Sequence, residues 1–387
     1  MNIRVLVLAD DLTGALEVGA LFAGRGLPAL VTMETRLDPE CFEETVLVHV
    51  IDTETRHLAP DEAFRIVHTI ARAACAQGFH YIYKKTDSTL RGNIASELSA
   101  IAAAFPGSPV VYAPAYPQLG RTVINGKLYV NGVPVSETSY SDDKLNPVLE
   151  SHIPTLLKAA GLPAHSIRAD ALHESMPAAV YVLDGTTEED LRSAARCFEA
   201  TRQLKLAAGP AGFAPHFADF VNLPRSAPPP MPSIRSCLVI NGSRHEISAA
   251  QIQHAVARGW PVIDVASASP APSGWIILQN PSVNSATELD FAAQLGELVR
   301  SILKQVSLDA MVVFGGDTVC GILKAIGLNS VRPVGEVLPG VPVARVEAVA
   351  LAAVRCTREQ DFYLITKAGG FGAPDLLTQV RERLLES

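Results

Sequence analysis

Two aspartates stand side by side in Ala9-Asp10-Asp11-Leu12-Thr13-Gly14-Ala15, where an apolar run gives way to a helical pattern. Burying adjacent carboxylates costs free energy unless they are paired or used. One of them can simply cap the helix. Two together suit a base or an acceptor for a reacting hydroxyl. The phosphatase spacing Asp-x-Asp-x-Thr is not met, because the carboxylates are adjacent. A second cluster runs Lys84-Lys85-Thr86-Asp87-Ser88-Thr89-Leu90-Arg91-Gly92-Asn93. Its cations, carboxylate and hydroxyls are the groups a small polyhydroxylated anion needs, since arginine grips a carboxylate while aspartate and serine bind hydroxyls. An exposed ion-pair loop would use the same residues. Asp52-Thr53-Glu54-Thr55-Arg56-His57 and Ala113-Pro114-Ala115-Tyr116-Pro117-Gln118-Leu119-Gly120-Arg121 close two further apolar runs, each with an arginine, Arg56 and Arg121. Either could be structural alone; four polar strand-end loops on one sheet edge predict a shared acid-binding cleft.

The C-terminal part carries a different chemistry. Three apolar runs end in small-residue turns followed by helical patterns: Gly242-Ser243, with a helix from about Ser248; Gly315-Gly316-Asp317-Thr318, with a helix through Leu323 and Ile326; and Lys367-Ala368-Gly369-Gly370-Phe371-Gly372, with Pro374 at a first helical position. Glycine lets backbone amides approach an anion, and a helix N-terminus adds about half a positive charge. One such turn makes only a tight corner; three suit a polyphosphate. Ser243 and Thr318 can offer hydroxyls, and Lys367 is predicted to neutralise a phosphate. No turn is a Walker A loop: Gly120–Leu128 has one spacer too many and lacks the Ser/Thr. The protein-kinase motifs are absent. His245-Glu246 begins like a zinc site, but Ala249 stands where the second histidine would be.

These loops need elements to hold them. Ile3–Ala9, Thr45–Ile51, Tyr81–Lys84, Val110–Ala113, Cys237–Asn241, Met311–Phe314 and Tyr363–Thr366 are continuously apolar, as strands covered on both faces are. Between them lie helical stretches such as Asn93–Phe105, where Ile94, Leu98, Ile101 and Phe105 share a face. The alternation predicts an α/β fold of two domains, each a largely parallel sheet flanked by helices, with ligands beyond the C-terminal strand ends. Five prolines in Leu223–Pro232 break the chain into residues 1–223, a linker at 224–233 and residues 234–387.

Composition bounds the partners. Of 387 residues 48% are hydrophobic and 19% charged, enough for large cores and too little charge for a disordered chain. Forty acidic against 32 basic residues leave −8, so no nucleic-acid footprint exists. No apolar run approaches membrane-span length and no signal peptide is evident, which predicts a cytoplasmic protein with no membrane partner. Six scattered cysteines without a CxxC pair read as reduced, mostly buried small hydrophobes. Apolar sheet edges could support a homodimer.

Ala-Asp-Asp-Leu-Thr-Gly-Ala at Ala9–Ala15, Lys85–Asn93, Pro114–Thr122, Gly315–Thr318 and Lys367–Gly372, in this order, resemble the four-carbon acid sugar kinase family over nearly the whole chain. Members phosphorylate the terminal hydroxyl of threonate, erythronate or 3-oxo-tetronate with ATP, holding the acid in the N-terminal domain and the nucleotide in the C-terminal one. The resemblance implies substrate contacts from an aspartate of the Asp10-Asp11 pair, from Arg56, from Lys85, Thr86, Asp87 and Ser88, and from Arg91; Arg121 is a further candidate from its own strand-end loop, and Asp11 or Asp10 is expected to orient or deprotonate the attacking hydroxyl. The resemblance implies ATP contacts from Ser243, from Gly315, Gly316, Asp317 and Thr318, and from a glycine of the pair Gly369 and Gly370; for Mg²⁺, Asp317 is the nearest candidate ligand. The mechanism expected from both readings is in-line transfer in the interdomain cleft. Asn241-Gly242-Ser243 stands where many relatives have Ser-Gly-Ser, and Gly370 where many have Asn. The alternatives are a kinase for another small hydroxy acid such as glycerate, or a non-catalytic acid-sugar and nucleotide sensor.

Overall fold

The computed structural model describes residues 4–37, 43, 45–201, 205–263, 274–279, 288–347 and 361–385. The chain divides into two compact units, Met1–Ala29 with Met33–Ala227, and Leu30–Thr32 with Pro228–Ser387. The proline-rich stretch carries no helix or strand, as five residues without an amide donor in ten lead one to expect.

In chain order the first part forms β1 (Val5–Ala9), α1 (Leu12–Ala23), β2 (Ala29–Thr32), β3 (Val48–Asp52), α2 (Pro60–Ala76), β4 (Tyr81–Lys85), α3 (Ile94–Ala104) and β5 (Val110–Tyr112). There follow β6 (Arg121–Ile124), β7 (Lys127–Val130), β8 (Val133–Pro134), α4 (Ile153–Ala159), β9 (Ala164–Ile167), β10 (Val180–Leu183), α5 (Glu188–Ala200), β11 (Leu206–Gly209) and α6 (Ala214–Phe220). The main sheet of the first unit is parallel throughout, in the order β3-β1-β4-β11-β5-β10-β9. Every residue of β1, β3, β10 and β11 is buried, which is why these runs read as continuously apolar. The helices start where local chemistry permits: Pro60 opens α2 with Asp61 and Glu62 in its first turn, and Thr187 with Asp190 forms a capping box on α5. Phe217 anchors the core against Phe22, Tyr81, Tyr83 and Phe198 at ring-centroid distances of 5.3–6.3 Å.

The second unit forms β12 (Cys237–Asn241), α7 (Glu246–Ala257), β13 (Val262–Ile263), β14 (Trp275–Leu278), α8 (Glu288–Gln305), β15 (Ala310–Phe314), α9 (Gly316–Ile326), β16 (Ser330–Leu338), β17 (Val341–Val346), β18 (Phe362–Lys367) and α10 (Leu376–Leu385). Its strand order is β13-β14-β12-β15-β18-β17-β16-β2. The first five are parallel; β17, β16 and β2 continue the sheet in antiparallel pairings. Both units are thus layered α/β folds with mostly parallel sheets.

Several boundaries differ from the sequence reading. The strand expected over Thr45–Ile51 forms at Val48–Asp52, because its ladder with β1 pairs Ala9 with Asp52. Ile3 of the first expected strand lies outside the described residues. Pro374 occupies a turn and α10 begins at Leu376, so it is not the first helical residue. The antiparallel ribbon of β6, β7 and β8 has no counterpart in the sequence reading. Cys237 and Cys320 are buried, Cys197 is half-buried and Cys75 is exposed; all four are free thiols, while Cys41 and Cys356 lie outside the described residues. Among the described residues no helix is long and apolar enough to cross a membrane.

Candidate active site

The topology marks where each unit can bind. Of the strands that flank β1, β3 comes earlier in the chain and lies on one side, and β4 comes later and lies on the other, so the connections leave in opposite directions and open a crevice at the C-terminal ends of β1 and β4. Register sets Ala9 level with Asp52 and Lys85. The loops beginning at Asp10, Thr53 and Thr86 therefore emerge side by side.

Their charged groups form one lattice. Arg56 donates from Nε to Asp10 Oδ2 at 2.7 Å and from Nη1 to Asp11 Oδ2 at 2.8 Å, and its Nη2 lies 3.8 Å from Asp87 Oδ2. Asp87 accepts from Arg91 Nη2 at 2.8 Å, from Thr89 N at 2.8 Å and from Thr89 Oγ1 at 2.5 Å. Burial works to raise the Asp10 carboxyl, but Arg56, Lys84 and Lys85 outweigh it and hold the group below its usual range. Burial is likewise overcome at Asp87 by Arg91 and Arg56, and its carboxyl falls far below the usual range. Asp11 serves two ends: Oδ1 accepts from Gly14 N at 3.0 Å and caps α1, while Oδ2 meets Arg56. Asp10 is 2% exposed and its Oδ1 has no hydrogen-bond partner.

Lys85 is the complementary vacancy in the lattice. It is 5% exposed, and its Nζ forms no hydrogen bond or ion pair with the described residues. A methyl group added at Gly14 would sit 2.5 Å from this Nζ and 2.7 Å from Asp11 Oδ1, so the glycine leaves the space into which the lysine and aspartate ends converge. Lys84, one residue earlier, points the other way into the fold. Fully buried, its Nζ lies 3.1 Å from Glu97 Oε2 and donates to Lys85 O at 2.7 Å and Leu8 O at 3.2 Å. Thr55 donates to Glu97 Oε1, and Thr53 Oγ1 donates to Ala9 O at 2.7 Å. This buried network ties the ends of β1, β3 and β4 to α3 and so fixes the three loops.

The remaining expected residues are less central. Thr86 Oγ1 lies 3.4 Å from Tyr112 OH, and Ser88 is half-buried. Arg91 keeps one edge open, with Nη1 reaching only to Asp143 Oδ2 at 3.7 Å. Arg121 does not join the lattice directly: it donates to Leu119 O and to Tyr140 OH at 3.3 Å, and the Tyr140 ring lies 5.6 Å from the Arg91 guanidinium carbon. Three carboxyls were not singled out from the sequence: Glu17, Asp52, quoted only as the start of its loop, and Glu97. Glu17 accepts from Tyr116 OH at 3.4 Å, and burial raises its carboxyl despite Lys85. Asp52 is fully buried and raised well above the carboxylate range by burial and by Glu54. Glu97 did have a signal: it falls three residues after Ile94, among the apolar positions of α3.

In the second unit β12, β15 and β18 are adjacent, with Asn241, Phe314 and Lys367 in register, so the three glycine turns also emerge together. Here β13 and β14 lie to one side of β12 and β15 to the other, which is again a topological switch point. The turns interlock through missing side chains. A methyl at Gly242 would meet Thr318 Oγ1 at 1.7 Å, and one at Gly369 would meet Ser243 Oγ at 2.2 Å. Gly315 caps α9 at φ 97°, a conformation that glycine alone adopts freely, and the first amides of α9 have no acceptor within the helix. Backbone N–H groups, two hydroxyls and a helix N-terminus thus converge in a cradle suited to phosphate.

Lys367 corrects one expectation. Its Nζ donates to Ser248 Oγ and Gly369 O, both at 3.1 Å, and lies 4.3 Å from the centroid of the Phe314 ring. Burial lowers its ammonium to about 8. It holds the glycine turn from below, with Ser248 donating to Gly369 O at 2.6 Å and Gln251 to Phe371 O and Ala373 O at 3.0 Å. Asp317 is exposed in the first turn of α9. No group of three or more metal-ligating side chains exists among the described residues. One carboxylate beside a phosphate cradle is a donor set for magnesium arriving on a nucleotide rather than for a resident ion.

Comparison with known proteins shows the chain's family. Residues 5–217 match a family model described as a sugar-binding N-terminal domain, and residues 277–377 one described as a nucleotide-binding C-terminal domain. The chain is 31% identical to a D-threonate kinase of Bordetella bronchiseptica, over 98% of this chain and 97% of that one. It is 30% identical to a D-threonate kinase of Cupriavidus necator over 99% and 98%, and 25% identical to a 3-oxo-tetronate kinase of Salmonella typhimurium over 88% and 92%. A crystal structure from Salmonella typhimurium shares the fold at TM-score 0.78, covering 98% of both chains at 21% identity. A domain of unknown function from Bordetella bronchiseptica, crystallised with citrate as a domain-swapped dimer, matches at TM-score 0.51 and 26% identity, over 100% of this chain and 99% of that one. The chain therefore belongs to the four-carbon acid sugar kinase family, enzymes that transfer a phosphoryl group to a hydroxyl of a sugar acid.

Proposed function

We propose that this enzyme uses ATP to phosphorylate the terminal hydroxyl of a four-carbon sugar acid, with D-threonate as the preferred acceptor. The observation that carries this reading is the pairing of a spare cation with a spare acceptor: Lys85, 5% exposed with no hydrogen bond or ion pair from Nζ among the described residues, and Asp10 Oδ1, buried without a donor. A hydroxy acid supplies both missing groups, a carboxylate and an O–H. The choice of D-threonate is supported by relatives of that name that match this chain over 97–99% of its length.

Lys85 and the open edge of Arg91 hold the substrate carboxylate, and Ser88 takes a hydroxyl. Arg56 is engaged by Asp10 and Asp11, so it acts as their counter-ion and orients them. Asp11 is committed to capping α1 and to Arg56, which leaves Asp10 to accept the proton of the attacking hydroxyl. Phosphoryl transfer demands little covalent help, and positioning with charge stabilisation supplies most of the rate. Ser243, the Gly315–Thr318 amides and the turn at Gly369 and Gly370 hold the phosphate chain, and Asp317 would be the side chain to hold Mg²⁺. The ion, when bound, neutralises charge on the phosphoryl oxygens. As in the domain-swapped relative, the working form is a homodimer, which light scattering tests by a mass about twice that of the chain.

The test is ADP release from Mg·ATP with D-threonate, D-erythronate, 3-oxo-tetronates and D-glycerate as acceptors. Turnover is expected with a four-carbon acid and fastest with D-threonate. Nucleotide binding without turnover on any acceptor would sink the kinase reading in favour of a sensor, and faster turnover of glycerate would sink the four-carbon assignment.

A further inference from the structure

His245 follows the Gly242-Ser243 turn and caps α7, its Nδ1 accepting from Ile247 N at 3.2 Å. A ring nitrogen that accepts carries no proton, so the proton sits on Nε2. That N–H is exposed and has no hydrogen-bond partner among the described residues. It lies directly over the glycine turn after β18: a methyl added at Gly370 would meet His245 Nε2 at 2.9 Å, Cδ2 at 3.1 Å and Cε1 at 3.4 Å. The loop is also stapled to its neighbour, since His245 N donates to Ser243 Oγ at 3.2 Å and that same oxygen fills the space above Gly369. Gly370 is therefore not needed for its own backbone, whose φ is outside the left-handed region. It is needed because an imidazole occupies the volume of its side chain.

We propose that His245 is a nucleotide-contacting residue, donating from Nε2 to a phosphate oxygen, and that Gly370 is the vacancy that lets it do so. The inference rests on the reading of the second unit as the nucleotide site and adds a side-chain donor to its backbone cradle. This explains why Lys367, turned inward beneath the loop, leaves room for another donor above it.

Calorimetric titration of Mg·ADP into four proteins tests this: wild type, His245→Ser, Gly370→Ala and the double variant. Serine keeps an N-cap acceptor, so α7 and the unliganded melting temperature are retained. A hydrogen bond to a charged oxygen predicts affinity about tenfold or more weaker for His245→Ser. Gly370→Ala is expected to weaken binding comparably in the wild-type background, by displacing the ring, and less than about twofold when His245 is already serine. Equal affinities of wild type and His245→Ser would overturn the assignment. So would a Gly370→Ala loss that is as large without the imidazole as with it. Failure of the wild-type protein to bind Mg·ADP would instead overturn the nucleotide reading and take this inference with it.

Discussion

Glu97→Gln removes one charge from a pair that water does not reach. Lys84 is fully buried, Glu97 is 1% exposed, and Nζ stands 3.1 Å from Oε2. Glutamine keeps the volume and can still accept from Thr55, so the change is one of charge. Two backbone carbonyls remain on the ammonium, those of Leu8 and Lys85, but they do not replace a counter-ion. Breaking a buried pair from one side costs about 3–5 kcal/mol, a large share of the ~5–15 kcal/mol that stabilises a typical domain. At about 2–4 °C per kcal/mol for a unit of this size, the melting temperature should fall by roughly 6–20 °C, measured by circular dichroism. Replacing both partners, as Lys84→Met with Glu97→Leu, should recover at least half of that loss, because neither charge is then buried. The same double variant removes one of the cations that hold Asp10 ionised, so the acid limb of its kcat/KM profile should move to higher pH. A Glu97→Gln protein melting within about 2 °C of wild type, or a double variant less stable than the single one, would refute the reasoning.

Other perturbations separate the two sites. Asp10→Asn is expected to lower kcat by about 10²–10⁴ with Mg·ADP affinity unchanged; Asp11→Asn, which still caps α1, should cost less, and the reverse order in steady-state kinetics would shift the base to Asp11. Gly242→Ala drives a methyl to 1.7 Å from Thr318 Oγ1. It should abolish most of the thermal stabilisation given by Mg·ADP while leaving turnover-independent threonate binding intact, both readable by thermal shift. Lys367 has a folded-state pKa of about 8, below the ~10.4 of an exposed lysine. The unfolded chain then binds more protons between those values, so stability rises with pH across about 8 to 10.4, by up to about 1.4 kcal/mol per unit. Urea unfolding should show this rise in wild type relative to Lys367→Met; parallel curves would contradict it.

The chemistry at strand ends was legible because parallel strands read as unbroken apolar runs and the polar residues after them stand out. Asp10, Asp11, Lys85, Asp87, Gly242 and Gly315 all announce themselves in this way. What the sequence hid is the partner of each group. Whether Arg56 holds a ligand or Asp10 depends on a contact across 46 positions, and whether Lys367 faces a phosphate or Ser248 on one across 119. Neither distance leaves a local trace. The antiparallel part of the second sheet was hidden for another reason. Pro333 and Gly335 sit within β16, where the register with β17 shifts, and both residues ordinarily argue against a strand. Glu97 was overlooked because a carboxylate on an apolar helix face looks like noise until Lys84 is known to lie beneath it.

The assignment of Leu30–Thr32 to the second unit bears on how the chain is made. Val31 and Thr32 pair with Val331 and Ser330, so the two halves of one ladder are separated by 298 positions, the difference between 330 and 32. At about 5–20 residues per second, translation leaves β2 waiting roughly 15–60 s for that partner to appear. No cut at the proline stretch can release the second unit whole. A fragment beginning at Pro228 would end its sheet at an uncovered β16, with the unpaired edge that invites self-association.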